Sequence, residues 1–383
     1  MKLISMMKKK NPRIAIISPA SPYRGGIATH SNQLFKELSK SLPVKIFNYH
    51  RQYPKFFFPG KTQYEKSPDI VHDRVVDAVN FFSWPSTAKK ILEFNPNLVL
   101  FRYWHPFFAI TLRSIAKKIK KLDRNCRLVA LIDNIIPHER FFLDSFVSSM
   151  FLSSMDGYLV QSSQVELDLL KLVKNPKYVK ALHPFYDHYP LKINTFEAKA
   201  SIGIDPKTKV FLFFGLIRPY KGLDIFLNSI RFLEKELNDY TVLVAGEAYE
   251  DIAKYKNIVP EKLMSRVIWR NSYIDEKNIA TYFSASDVLV LPYKSCTQSG
   301  VVQVGYHYGL PAVASNIQGF QDYVIEGQTG YLFDADSSED LASKIVNVLR
   351  LNPQVLREGI NLFHRQCTWG FFSRKIIDFY ESY

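Results

Sequence analysis

Two cations three positions apart, Arg218 and Lys221, sit in FFGLIRPYKGLD (Phe213–Asp224), where an apolar run stops and an amphipathic one begins. An arginine grips phosphate bidentately and a lysine as a point charge, so the pair beside a helix N-terminus would clamp a diphosphate without a metal ion. A basic surface turn has the same composition, but Pro219 and Gly222 argue for a fixed geometry. A second stretch offers related chemistry. Ser295-Cys296-Thr297-Gln298-Ser299-Gly300 is a small, polar turn between the apolar runs Val288–Leu291 and Val301–Tyr308. At such a strand-to-helix turn Thr297, Gln298, Ser299 and Gly300 can cradle phosphate through backbone N–H groups, or simply cap the helix. Gly25-Gly26 is a third turn that opens a helix. It does not match G-x-G-x-x-G, so no dinucleotide fingerprint is read there. His105, Asp133, Asn134, His138 and Glu139 each follow an apolar run. Each alone fits a cap or turn residue; together, at successive strand ends, they converge on one crevice of an open sheet.

The elements that must position these residues are apolar runs of strand length. They are Arg13–Ser18, Val44–Phe47, Asn97–Arg102, Arg127–Ile132 and Asp156–Gln161, then Lys209–Gly215, Tyr240–Gly246, Val267–Asn271, Val288–Leu291, Pro311–Ala314 and a short one after Gly330. Continuous apolar runs alternating with helical patterns predict an α/β fold of doubly wound parallel sheets. The stretch Pro184 to Thr208 carries prolines and charges without a long apolar period. A boundary is expected there, between a domain over 1–190 and a second over 200–365. An aromatic amphipathic helix is expected in 366–383. Gln52 to Phe82 begins aromatic-rich and irregular and reads as a binding or docking loop.

At 383 residues, two domains are the expectation. Hydrophobic residues make up 47% and charged ones 22%, the balance of a folded globular protein rather than a disordered one. Cys126, Cys296 and Cys367 form neither a disulfide framework nor a metal cluster, which fits a reducing cytoplasm. The leader MKLISMMKKKNPR lacks a signal-peptide core, and Met6 or Met7 is an alternative start. No apolar run approaches the roughly 20 residues of a membrane helix. The net charge of +14 calls for an anionic partner: nucleic acid, an anionic membrane surface or a phosphorylated substrate. Lys117, Lys118, Lys120 and Lys121, with Leu112, Ile115, Ile119 and Leu122 at helical spacing, make a basic amphipathic helix. A solvated helix face is the plainer explanation of it. No nucleic-acid-binding motif is present, so nucleic acid is not the expected partner.

The chain resembles the family 4 glycosyltransferases. The resemblance rests on PYRGGIATH (Pro22–His30), GLIRPYKGLD (Gly215–Asp224), FSASDVLVLPY (Phe283–Tyr293), GLPAVAS (Gly309–Ser315) and EGQTGYLF (Glu326–Phe333), five short motifs in the family's order. It implies the GT-B fold: two Rossmann-like domains facing across a cleft, with a C-terminal helix crossing back to the N-terminal domain. It implies retaining transfer of a sugar from a nucleotide-diphospho-sugar to a glycan or lipid-linked acceptor, in cell-surface polysaccharide or glycolipid synthesis. The location would be cytoplasmic, or peripheral on the inner face of the cytoplasmic membrane, and neither cofactor nor metal is expected. Arg218 and Lys221 would hold the diphosphate and stabilise the departing charge. Gly25, Gly26, Thr297, Gln298, Ser299, Gly300 and Val301 would complete the donor site. His105, Asn134, His138 and Glu139 would hold the acceptor.

Two departures qualify the resemblance. The family's paired glutamates fall, without gaps, on Cys296 and Val304, eight positions apart. Neither can bind hydroxyls as a carboxylate does, and Gln303 is turned away by about 100° on a helix. Thr297, Gln298 and Ser299 are left to supply neutral hydrogen bonds, so altered donor recognition is expected. A non-catalytic GT-B-fold subunit that binds a partner enzyme or a glycan is the alternative. The second departure is Asp133-Asn134, where the family often has a histidine. Asp133 is expected to orient the acceptor or stabilise oxocarbenium charge, with His138 a rival for that role. Asp334-Ala335-Asp336 mimics a metal-binding DxD, but it precedes a helix, and capping is the expected role.

Overall fold

The computed structural model describes residues 12–23, 25–53, 64, 72–135, 143–185, 189–296 and 299–383. They divide into two compact units. The first comprises Met1–Gln161, Val165–His183 and Trp369–Tyr383; the second comprises Ser162–Gln164 and Pro184–Thr368.

The first unit holds a seven-stranded sheet in the order β3-β2-β1-β4-β5-β6-β7. Its strands are β1 (Ile14–Ile17), β2 (Val44–Arg51), β3 (Asp73–Asp77), β4 (Leu98–Tyr103), β5 (Arg127–Ile132), β6 (Gly157–Val160) and β7 (Tyr178–Lys180). Every pairing is parallel. The second unit holds a six-stranded parallel sheet in the order β10-β9-β8-β11-β12-β13. Its strands are β8 (Lys209–Phe214), β9 (Tyr240–Ala245), β10 (Val267–Arg270), β11 (Val288–Leu291), β12 (Ala312–Ser315) and β13 (Gly330–Phe333). Central strands such as β1, β9 and β11 are buried along their whole length because helices cover both faces, which is why they read as unbroken apolar runs.

Each sheet reverses its strand order once, at β1/β4 and at β8/β11. At such a reversal the connections leave in opposite directions and open a crevice beyond the strands' carboxyl ends. The segments after β1, β4, β8 and β11 contain Gly25-Gly26, His105, Arg218 with Lys221, and Ser299 through Val301.

The C-terminal helix Trp369–Glu381 packs within the first unit. Gly157 opens β6 where any side chain would strike this tail, because a Cβ there would lie 1.8 Å from the Tyr383 hydroxyl. That hydroxyl donates to Asp156 O at 2.8 Å.

Three expectations are corrected. The supposed loop Gln52 to Phe82 contains β3; residues 54–63 and 65–71 lie outside the described residues. DRVVD is an edge strand with one fully buried residue, Val76, so it carries no apolar run to betray it. Leu122 ends the basic helix Ala109–Leu122 exposed rather than on its buried stripe of Leu112, Ile115 and Ile119. The aspartates of Asp334-Ala335-Asp336 do not cap the following helix, Ser338–Arg350. Ser337 does, its Oγ accepting from Asp340 N at 3.1 Å, while Asp340 accepts from Asp334 N at 2.7 Å.

Candidate active site

In the second unit β8 ends at Phe214 and the chain turns through Gly215, whose φ of +107° is glycine's region. Arg218 is extended, Pro219–Lys221 forms one 3-10 turn, and Gly222 then starts the helix Leu223–Glu236 at φ +66°. A Cβ on Gly222 would lie 1.8 Å from Pro292 O, so only glycine lets this turn seat against the segment after β11. That contact fixes Lys221. Its side chain is not projected into solvent; the residue is 8% exposed. Its Nζ donates to the Tyr293 hydroxyl at 3.0 Å.

The buried Tyr293 hydroxyl also bonds to Ser299, and Ser299 Oγ accepts from Val301 N at 3.3 Å to cap the helix Gly300–His307. Lys221 Nζ and Val301 Cγ2 come within 3.1 and 3.9 Å of the point a Gly215 Cβ would occupy. Gly215, Lys221, Ser299, Gly300 and Val301 are thus brought together around a helix N-terminus, where free N–H groups and a cation both favour an anion. Burial pulls the Lys221 pKa down. Burial likewise pushes the Cys296 thiol up to about 12, only partly offset by the Lys221 charge, so Cys296 stays a neutral thiol. Arg218 stands beside this cluster, near enough for its charge to act on Lys221, but it is exposed, with its guanidinium carbon 4.8 Å over the Tyr249 ring. Val304 and Gln303 are buried in the helix body. Thr297 and Gln298 lie outside the described residues.

In the first unit Gly25 takes φ +109° before the helix Gly26–Leu38. A Cβ on either glycine would meet nothing within 4 Å, so the pair leaves open room rather than relieving a clash. His105 is a cap: its Nδ1 accepts from Phe107 N at 3.1 Å. Asn134 is half-buried beside Asp133, and His138 and Glu139 lie outside the described residues.

Asp133 belongs to a closed ring of four side chains that sequence reading missed. Arg102, 2% exposed at the end of β4, donates to its two oxygens at 2.7 and 2.5 Å. Gln161 Nε2 donates to Asp133 Oδ1 at 2.6 Å. Arg102 Nη1 lies 2.6 Å from His30 Nδ1, and His30 Nε2 lies 3.0 Å from Gln161 Oε1. A guanidinium can only donate, so His30 accepts at Nδ1 and carries its proton on Nε2, which donates to Gln161. Burial first, then the Arg102 charge, holds the His30 pKa well below 6.5, and the ring stays neutral. Trp369 and Phe372 of the C-terminal helix close over His30 edge-on, with centroids at 4.8 and 5.5 Å. Three of the four Asp133 lone-pair positions are thereby filled. The carboxylate can accept one further hydrogen bond and exert its charge.

A signal for the ring existed: Arg102 is the one charge inside LVLFRY, and a charge in a buried strand needs a partner. Its partners come from three other segments, and no spacing rule links them.

Residues 208–350 match a family model described as "Glycosyl transferases group 1". An uncharacterized glycosyltransferase of Methanocaldococcus jannaschii is 22% identical over 364 residues, 86% of this chain and 87% of that protein. The chain is a glycosyltransferase of the GT-B fold, similar to the group 1 family over residues 208–350. The fold of the transferase extends over whole solved structures. A glycosyltransferase from Rickettsia africae superposes with a TM-score of 0.71 at 16% identity, covering 97% of this chain and 98% of that one. Anabaena HepE in complex with UDP superposes with a TM-score of 0.69 at 13% identity, covering 97% and 100%. Among the described residues of the transferase, no helix is long and apolar enough to cross a membrane.

Proposed function

We propose that the transferase moves a sugar, with retention and without a metal ion, from a nucleotide-diphospho-sugar to a glycan or lipid-linked acceptor. The observation that carries this reading is the buried Lys221 ammonium at the N-terminus of the helix Gly300–His307, tied through Tyr293 to Ser299. A diphosphate there meets one desolvated cation and a fan of backbone N–H groups. Charge that develops on the leaving phosphate is stabilised without reorganisation of the site, which supplies electrostatically what a divalent ion would. Arg218, on its exposed turn, reaches the same diphosphate once it leaves Tyr249. HepE, similar in fold, is known with UDP, which supports a nucleotide-bound donor here.

The first unit supplies the acceptor residues. Asp133, held by Arg102 and Gln161, uses its remaining lone pair to orient an acceptor hydroxyl and its charge to stabilise an oxocarbenium-like centre. Gly25 and Gly26 leave room for a ligand to approach the backbone. The product belongs to a cell-surface polysaccharide or glycolipid, made in the cytoplasm, with the basic helix Ala109–Leu122 resting on an anionic inner membrane face.

Product analysis tests the reaction. Purified protein is given UDP- and GDP-sugars with short glycan and lipid-linked acceptors, and the new linkage is read by proton NMR. The donor's anomeric configuration should persist in the product. An inverted linkage contradicts retention, and hydrolysis alone contradicts transfer.

A further inference from the structure

At the amino-terminal ends of β8, β11 and β12, the end of the second sheet remote from Lys221, lies a cavity of about 650 Å³. That is ample for a small organic ligand. Its charged lining is Lys192, Lys209 and Arg357 against a single carboxylate among the described lining residues, Asp287. Asp287 is already committed. Its Oδ2 accepts from Lys199 Nζ and from Val210 N, each at 2.9 Å, and Lys209 reaches Oδ1 only at 3.6 Å. Lys199 is itself buried, and its Nζ also donates to Thr208 O at 2.7 Å, so the Asp287 charge balances a fourth cation behind the wall.

The remaining positive charge faces the cavity. Lys192 is exposed along its stem, but its ammonium is partly buried on Tyr308 O at 2.9 Å. Loss of water, then the neighbouring Arg357 charge, pulls its pKa down, and Asp287 offsets this only in part. Arg357 has no ion-pair partner among the described residues. Leu349 and Leu356 form the apolar side of the same cavity. Like charges gathered around a concave space repel one another unless something of opposite sign occupies it, and a guanidinium fork is best matched by phosphate. We propose that this cavity is a second anion site, binding a phosphate-bearing small molecule whose organic part lies on the leucine wall.

Pyrophosphate is the probe, and calorimetric titration the measurement. It is run on the full chain carrying Lys221→Ala, so that binding at the donor cradle does not mask the second site and the outcome does not depend on the donor's identity. One binding event should remain in that background. Lys192→Gln or Arg357→Gln should each weaken it about tenfold, the share of one charge-assisted contact. Added potassium chloride should weaken it further. Both side chains have exposed stems, so the variants should melt as the parent does; a parent-like melt with lost binding separates loss of the site from loss of the fold. No binding in the Lys221→Ala background overturns the proposal. So does binding that survives Lys192→Gln and Arg357→Gln together.

Discussion

The Arg102–Asp133 pair sits almost out of water, and removal of one partner leaves the other as an uncompensated charge. Such a loss costs about 3–5 kcal/mol. Arg102→Gln should therefore lower the stability of the first unit by about that amount in urea denaturation, whereas Arg102→Lys, which keeps the charge but loses the fork, should cost less. His30 adds a pH dependence. Its folded pKa lies below 6.5, so above that pH it is neutral in both states and its full contribution is present. As pH falls through 6.5 the unfolded chain binds a proton that the folded one refuses, and stability is lost. The slope from this one group is at most about 1.4 kcal/mol per pH unit. His30→Gln should flatten the acid limb of a stability–pH curve by up to that slope. An unchanged limb would mean that His30 is not neutral in the ring.

At the scale of elements, the turns carry different demands. Gly222 is required twice over, by its φ of +66° and by the 1.8 Å approach to Pro292 O, against which neither backbone can yield. Gly222→Ala should destabilise the second unit by more than about 1 kcal/mol and disorder the Lys221 turn. Gly26 is helical and has open space around it, so Gly26→Ala should leave stability unchanged or raise it by up to about 1 kcal/mol. Activity lost in a Gly26→Ala protein that melts normally would show that the space is used by a ligand; full activity would remove Gly26 from the site. The buried strands and the Gly222 turn were legible in the sequence because unbroken apolar runs and a Pro-x-x-Gly spacing are local patterns. The edge strand β3 was not, since one buried valine leaves no period. Nor was the ring around Asp133, whose four members come from four segments. Lys221 was legible as a phosphate ligand by type, but its burial depends on Tyr293 and Pro292, some seventy residues away in the chain.

For the molecule as a whole, the charge of +14 is the property that bears on partners. On the helix Ala109–Leu122, Lys117 and Lys121 are exposed, whereas Lys120 is paired with Asp156 at 2.7 Å. Each free lysine near an anionic lipid surface adds about 1 kcal/mol. Lys117→Glu with Lys121→Glu should therefore lower partitioning onto phosphatidylserine-containing vesicles at least about tenfold in flotation assays, and unchanged flotation would remove this helix from the membrane account. The central claim is the anion cradle formed by Lys221, Tyr293 and Ser299. It is tested most directly by thermal unfolding with UDP, GDP and their sugar conjugates, on the parent chain and on Lys221→Ala. A nucleotide at about 100 times its dissociation constant should stabilise the parent by roughly 2.7 kcal/mol, and that shift should be sharply reduced in Lys221→Ala. A shift that persists undiminished in Lys221→Ala, or no shift with any nucleotide, would contradict the account.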